Sequence, residues 1–443
     1  MPASPARAAA FDILLRVEQQ EAYASELLHS DKVAKLIVAD RALATEIVMG
    51  VLRWRSKLDS AIRANSARPL AKLDAEVLVA LRIATYQLLY LGRVPARAAI
   101  NESVELVKRA RKTSAAPFAN AVLRKVADTA KTPHSSLMLG GAWELAENLA
   151  HPRWLVERWI EHYGIENAEA VAKYDQTVPV TAIRIAGNEV LSELEREGIA
   201  LAPGALLTSA RIVTGGDITH TRAFGEGRVF IQDEASQLVA ALVGNGSRIL
   251  DCCAAPGSKT AAIASRNLQS EIVAAELHPH RAALLRQRVR AANVRVIHAD
   301  ALQLPTDGRF DRVLADVPCS GTGTLARNPE IKWRLKLEDF EELHQKQVAI
   351  LLAALGQLAL GGRAVYSTCS LELEENEAVV EEVLRADKDC RLLDCRSEVN
   401  HLRESGELAI DDIDGLLRGA YLRTMPGKQP CDGFFAAVIE RNR

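Results

Sequence analysis

From residue 248 onward, short apolar runs alternate with amphipathic stretches, and this alternation constrains the fold more than any other feature of the chain. Strands are predicted over Arg248–Cys253, Ile272–Leu277, Val294–His298, Arg312–Asp316, Arg363–Ser367 and Phe434–Ile439. Helices are predicted over Arg281–Ala292, Leu337–Leu360 and Glu374–Leu384. The pattern implies a mostly parallel sheet covered on both faces, an α/β Rossmann-like domain. Ligands in such folds sit at the carboxyl ends of the strands, so the residues that follow each strand are the candidate site.

The first 130 residues have a different texture. Apolar residues recur at helical spacing, as in Val77, Leu78, Leu81, Ala84, Leu88 and Leu89, which predicts an all-α bundle. Pro95, Pro117 and the Ser66 to Pro69 stretch punctuate it, and Asp40 is a candidate helix cap. Residues 131 to about 150 read as a connector, after which His151 to Trp159 begins a helix with aromatic anchors. Between 180 and 230, β-branched runs such as Val180 to Ile185 and Gly227 to Ile231 alternate with glycines, which predicts a small α+β domain.

The net charge of −2 hides an asymmetry: residues 51–131 hold 16 Lys and Arg against 6 Asp and Glu. Such a basic region is either the footprint of a polyanion-binding module or a solvated helical surface. Its basic residues, among them Arg53, Arg55, Lys57, Arg63, Lys108, Arg109, Arg111 and Lys112, are the expected phosphate contacts. No run of eighteen apolar residues occurs and Asp12 interrupts the N-terminal region, so a cytoplasmic protein without membrane attachment is expected. Seven irregularly spaced cysteines form neither a disulfide framework nor a CxxC half-site, and His278-Pro279-His280 reads as a turn before a helix, so no metal is expected.

After the first strand of the α/β region comes Asp251-Cys252-Cys253-Ala254-Ala255-Pro256-Gly257-Ser258-Lys259-Thr260. Gly257 with its small neighbours lets backbone approach a ligand, yet the string is neither G-x-G-x-x-G nor a P-loop, so a phosphate cradle is disfavoured. Glu276 ends the second strand, where a carboxylate can accept from ribose hydroxyls; Asp300 ends the third, placed for an adenine amino group; Asp316 ends the fourth. Three acids at consecutive strand ends suit a nucleoside cofactor with a positive centre and no phosphates. S-adenosylmethionine (SAM) has that chemistry, with NAD as the alternative.

Two cysteines also follow strands, Cys319 in Asp316-Val317-Pro318-Cys319-Ser320 and Cys369 in Ser367-Thr368-Cys369-Ser370, the second expected to open a helix. A free thiol is most often a small buried hydrophobe, but two of them at adjacent strand ends suit pyrimidine chemistry. Cytosine C5 becomes a nucleophile only after a thiolate adds at C6, and the reaction then needs a carboxylate for the N3/N4 edge and a group that assists elimination. Cys369, Asp316 and Cys319 are residues of those types. A helix N-terminus would lower the Cys369 pKa, while Glu372, Glu374 and Glu375 would raise it if they face the thiol; the sequence leaves the balance open.

The strings Cys253 to Thr260, Asp316 to Gly323, Arg327-Asn328-Pro329-Glu330-Ile331-Lys332-Trp333, and Ser367 to Ser370 with Glu374-Glu375-Asn376-Glu377 resemble the NOL1/NOP2/Sun RNA cytosine-C5 methyltransferases. Val94 to Lys108 and Phe118 to Arg124 resemble the NusB family, an RNA-binding helical fold, and together the two resemblances cover nearly the whole chain. They imply an all-α NusB-like RNA-binding domain over 1–130, a connector and small α+β RNA-binding domain over 131–230, and a SAM-dependent catalytic domain over 231–443. The implied activity is methyl transfer to C5 of one cytosine in 16S ribosomal RNA through a covalent adduct. The resemblance makes Cys369 the nucleophile and Cys319 the aid to product release. It assigns SAM contacts to Cys253, Ala254, Ala255, Pro256, Gly257, Ser258, Lys259, Glu276, Asp300 and Asp316, in a monomer acting on small-subunit ribosomal RNA.

Two departures stand out. Ser258 replaces a glycine common in that loop, which a backbone of negative φ would tolerate, and Cys252 adds a thiol read as buried packing. A DNA cytosine methyltransferase would use the Pro-Cys thiol as nucleophile and has no need of Cys369. A NusB-type binding factor with a vestigial enzyme domain has no need of either thiol.

Overall fold

The computed structural model describes residues 3–129, 141–185, 187, 189–306 and 309–442. The chain divides into two compact units, Met1–Val178 with Leu325–Arg334, and Pro179–Thr324 with Leu335–Arg443.

The first unit is helical. Helices Pro5–Gln20, Val38–Arg53, Arg55–Asn65, Ala75–Tyr90, Ala96–Arg109 and Ala116–Thr129 share one core, with Val77, Leu81 and Ala84 of the fourth buried together as the spacing predicts. Pro95 directly precedes its helix and Pro117 lies in the first turn of another, where a missing N–H costs nothing. Asp40 does not cap: its helix starts at Val38, leaving Asp40 inside the first turn where a carboxylate still suits the helix dipole. Buried Arg82 is held by Asp59 at 2.7 and 2.8 Å and by Glu18 at 2.9 Å.

The connector expectation is half corrected. Residues 131–140 lie outside the described residues, but Gly141–Asn148 is a helix whose Ala146 side chain is buried, and helices Arg153–Tyr163 and Ile165–Asp175 follow. Trp159 is the fully buried aromatic anchor.

The segment Leu325–Arg334 packs inside this helical unit. Trp333 Nε1 donates to the Leu52 carbonyl at 2.6 Å, and Arg334 donates to the carbonyls of Val17, Glu21 and Ala22 at 2.8, 2.7 and 2.7 Å. Ala24 N–H donates to Glu330 at 2.8 Å, and Arg53 donates to the Ala326 carbonyl at 3.0 Å. Arg53 is thereby buried and is removed from the expected phosphate contacts. Arg55, also in that set, is engaged by Glu18 at 3.2 Å.

Lys332 of this segment is 1% exposed, with Nζ 3.5 Å from His151 Nε2, and His151 in turn lies 3.2 Å from Asp175. Burial pushes the ammonium down to about 7 from an ordinary 10.5; Arg53 adds to the drop and Asp175 opposes it. Between those values the folded unit binds fewer protons than the unfolded chain, so the cost of burying Lys332 is full below pH 7 and fades as the pH rises. Relative to a Lys332→Met variant, the native protein is expected to gain ~2–3 kcal/mol of stability between pH 7 and pH 9. Denaturation midpoints with the same pH slope in both proteins would contradict this.

The second unit carries two sheets. Strands β1 (Thr181–Ile185), β2 (Ala200–Pro203), β3 (Ala210–Gly215) and β4 (Val229–Ile231) form a small antiparallel sheet in the order β2-β3-β1-β4. Helix Glu189–Arg196 packs Val190 and Leu194 with Ile183, Ile199 and Val229, giving the expected small α+β fold.

Among the described residues the large sheet is nine-stranded. It contains β5 (Arg248–Asp251), β6 (Glu271–Glu276), β7 (Val294–His298), β8 (Phe310–Asp316), β9 (Leu358–Thr368), β10 (Cys390–Leu393), β11 (Leu417–Arg418), β12 (Tyr421–Arg423) and β13 (Phe435–Arg441). Strands β5 to β9 run parallel in the order β9-β8-β5-β6-β7, while β13 adds to β9 antiparallel. The strand order reverses between β6 and β8 around β5, so a crevice opens at their carboxyl ends. The helix predicted over Leu337–Leu360 ends at Gly356, because Leu358 already begins β9; Phe310 N–H donates to the Gln357 carbonyl at the junction. No described helix is long and apolar enough to cross a membrane.

Candidate active site

The first loop of the site is built around Gly257. Its φ of +106° is a conformation that L side chains rarely adopt, and a Cβ there would sit 2.7 Å from Leu285 and Val289. The strained turn falls on Gly257 alone, so Ser258 opens helix Ser258–Arg266 in ordinary backbone and its departure from glycine is accommodated. Ala254 N–H donates to the Ala275 carbonyl, tying the loop to the end of β6. Cys252 is buried in the core, as expected of a packing thiol.

Four carboxylates stand at the carboxyl ends of β5 to β8. Glu276, the last residue of β6, is buried and accepts the His278 N–H at 2.9 Å. Asp300 lies two residues beyond β7, exposed, and accepts the Leu302 N–H at 2.9 Å. Asp316 ends β8 and accepts Lys259 Nζ at 2.9 Å and Ser367 Oγ at 2.8 Å. Asp251, which the sequence reading did not single out, ends β5 and accepts Thr260 Oγ1 at 2.7 Å. Burial, with Asp316 close by, pushes Asp251 up to about 7. The cue for it was available: it is the strand-end acid that opens the loop.

Lys259 sits over the Phe434 ring, 4.8 Å from the centroid. Burial alone would lower its pKa, but Asp316, Cys369 and Asp251 together raise it. This ammonium is committed to Asp316, so the loop offers no free cation for a phosphate, and the acids outnumber the lysine. Burial also pushes the Cys253 thiol up, reinforced by Asp251, Asp316 and Glu276. A hydroxyl-bearing nucleoside with a cationic centre matches this donor and acceptor set.

The two candidate catalytic thiols meet. Cys319 Sγ and Cys369 Sγ are 3.3 Å apart, and the Cys369 N–H points at the Cys319 sulfur, also at 3.3 Å. Both residues are half-buried. Contact with Cys369, together with burial and the nearby Glu375, pushes the Cys319 thiol well above its ordinary value. Gly323 lets the two loops pass: its N–H donates to the Cys369 carbonyl at 2.9 Å, and a Cβ there would lie 2.1 Å from the Gly433 carbonyl oxygen.

Cys369 does not open a helix. A short 3-10 turn, Leu373–Glu375, intervenes, and the helix expected from Glu374 starts at Glu377. The delay has a local cause: Asn376 has φ −117° and ψ −102°, outside the helical region, with its side chain bonded to Thr368 and Ser370. A helix N-terminus therefore does not act on the Cys369 thiol. His278 precedes helix Pro279–Arg288, as the turn reading predicts. Among the described residues, no cluster of three or more His, Cys, Asp or Glu is placed to hold a metal ion.

The family model described as 16S rRNA methyltransferase RsmB/F matches residues 239–440, the NusB family matches 4–128, and an RsmF/B-like ferredoxin-like domain matches 151–217. A Bacillus subtilis protein named probable ribosomal RNA small subunit methyltransferase B is 33% identical, over 88% of this chain and 90% of its own length. The Vibrio cholerae ribosomal RNA small subunit methyltransferase B is 32% identical, over 91% of this chain and 90% of its own. Among solved structures, PH0851 aligns over 100% of both chains with a TM-score of 0.81 at 23% identity, a likeness of fold.

Proposed function

The chain belongs to the RsmB/F family of 16S rRNA methyltransferases, and from that premise we propose that it methylates C5 of one cytosine in 16S ribosomal RNA, using SAM and a transient Cys369 adduct. The observation that carries the proposal is the pair of sulfurs 3.3 Å apart beside the Asp316–Lys259 pair, at the carboxyl ends of adjacent strands β8 and β9.

The residues divide the work as follows. Asp316 accepts from the N4 amino group of the cytosine edge, and its bond to Lys259 fixes where that carboxylate points. The Cys369 thiolate adds to C6, and the electron pair of the C5–C6 bond makes C5 nucleophilic. SAM, when bound, supplies the electrophilic methyl group. Cys319, held at the opposite sulfur, assists removal of the C5 proton, after which the C6–S bond breaks and Cys369 leaves with its electron pair. The loop Cys253 to Lys259 and the acids Glu276 and Asp300 hold the cofactor, Glu276 at the ribose and Asp300 at the adenine. The target base must leave its stack to reach the crevice.

In this reading residues 1–130 supply RNA affinity, 131–230 add a second RNA-binding element and 231–443 carry the chemistry, in a cytoplasmic monomer. The test is to incubate the protein with 16S ribosomal RNA and SAM and map the product by bisulfite sequencing. One protected cytosine supports the reading; methylation at a ring nitrogen, a sugar or an adenine would refute it.

The exposed cations of the helical unit give a second measurement. Arg63, Lys108, Arg109 and Arg111 remain solvent-exposed, whereas Lys112 is half-buried against Asp74. Replacing Arg63, Lys108 and Arg111 by alanine together is expected to weaken RNA binding and to flatten the slope of log affinity against log salt by roughly 2–3. An unchanged salt slope would take these residues off the RNA path. Deletion of the helical unit is a poor substitute, because it would strip the cover from Trp333 and Arg334.

A further inference from the structure

Neither thiol is held by its own contacts alone; both loops converge on one buried side chain. Glu375 is completely buried. Its Oε1 accepts the Ser320 N–H at 2.7 Å and Gln347 Nε2 at 2.9 Å; its Oε2 accepts the Ser320 hydroxyl and, at 2.5 Å, the Ser370 hydroxyl. Ser320 follows Cys319 and Ser370 follows Cys369. The preceding residues are held by neighbours of the same carboxylate. Gln347 also donates to the Pro318 carbonyl at 2.9 Å, and Asn376 accepts the Thr368 hydroxyl at 2.5 Å while donating to the Ser370 carbonyl at 2.9 Å. Glu375 is itself pinned at its backbone, where its carbonyl accepts the Tyr366 hydroxyl at 2.6 Å.

We propose that Glu375 is a positioning residue that sets the distance between the two thiols by clamping the Cys319 loop to the Cys369 loop. The inference rests on the proposed roles of those thiols: one bonds C6 while the other serves C5, neighbouring atoms of one ring, so their separation has little tolerance. A buried carboxylate suits the task, since four donors converge on it and none is left to solvent. No hydrogen bond links Glu375 to either sulfur among the described residues, so its action passes through the serines and through the field it imposes on Cys319.

The cross-linking arm of the test needs no RNA. An aromatic disulfide such as 5,5′-dithiobis(2-nitrobenzoate) is attacked by one thiolate, releasing one aromatic thiolate. The second cysteine then attacks the mixed disulfide, releasing the other and forming the Cys319–Cys369 bond, with both thiol protons going to solvent. Peptide mass spectrometry reads the rate. Ser370→Ala, which deletes one hydroxyl of the clamp, and Glu375→Ala are each expected to slow cross-linking at least about tenfold and to lower kcat about a hundredfold, with KM for SAM and RNA unchanged. Glu375→Gln is expected to cross-link at nearly the native rate, because its amide accepts from the Ser320 N–H and donates to hydroxyls that simply reverse. Cross-linking at the native rate in folded Ser370→Ala or Glu375→Ala overturns the clamp; if Glu375→Ala does not fold, Ser370→Ala decides. A native protein that cross-links readily yet methylates no cytosine would refute the proposed function and leave the clamp standing.

Discussion

Cys319→Ala, mixed with target RNA and SAM, is expected to accumulate as a covalent protein–RNA complex that survives a denaturing gel, whereas Cys369→Ala gives no such band and no product. The asymmetry follows from the order of bond making. Without the Cys369 thiol nothing adds to C6, C5 stays a poor nucleophile, and the rate loss is on the order of 10⁴-fold or more. Without Cys319, addition and methyl transfer still proceed, and only the exit of the enzyme stalls. The geometry favours this division. Contact with Cys369, burial and Glu375 push the Cys319 thiol well above its ordinary value, which disfavours it for the attack on C6 and makes it, as a thiolate, a strong base for the C5 proton. A band from Cys369→Ala, with neither adduct nor product from Cys319→Ala, would reverse the two roles and place the enzyme on the DNA-type pathway.

Much of this site was legible because strand ends are. An apolar run that stops at an acid, as at Glu276 and Asp316, announces both the strand and what stands at its carboxyl edge, and parallel topology then gathers those edges into one crevice. The small α+β sheet was legible from β-branched runs for the same local reason. What escaped depends on contacts distant in sequence. Arg53 reads as a phosphate-binding cation until the Ala326 carbonyl, 273 residues away, is seen to bury it. Lys332 and Trp333 follow the catalytic loop closely in sequence, yet they fold with the helical unit. In the sequence Glu375 reads as a charge that raises the Cys369 pKa if it faces the thiol and as one letter of the string that carries the family resemblance. No periodicity shows that its carboxylate turns inward to two serines 50 residues apart, or that Asn376 delays the next helix by breaking helical backbone.

The Asp316–Lys259 pair predicts the second large effect, and it separates chemistry from folding. The Lys259 side chain is only 12% exposed and sits over the Phe434 ring, with Cys369 and Asp251 also near it. Asp316→Ala leaves that ammonium without its counter-charge and Ser367 without its acceptor, so a stability loss of about 3 kcal/mol is expected. Activity is expected to fall by roughly a thousandfold or more, since the cytosine edge loses its acceptor as well. The double variant Lys259→Met/Asp316→Ala removes the stranded charge and is expected to regain most of the stability, because an apolar side chain suits a site walled by Phe434. It is not expected to regain activity. Recovery of methylation together with stability in the double variant would mean that Asp316 acts only by neutralising Lys259. A stable, inactive double variant that still binds SAM would place Asp316 at the base itself.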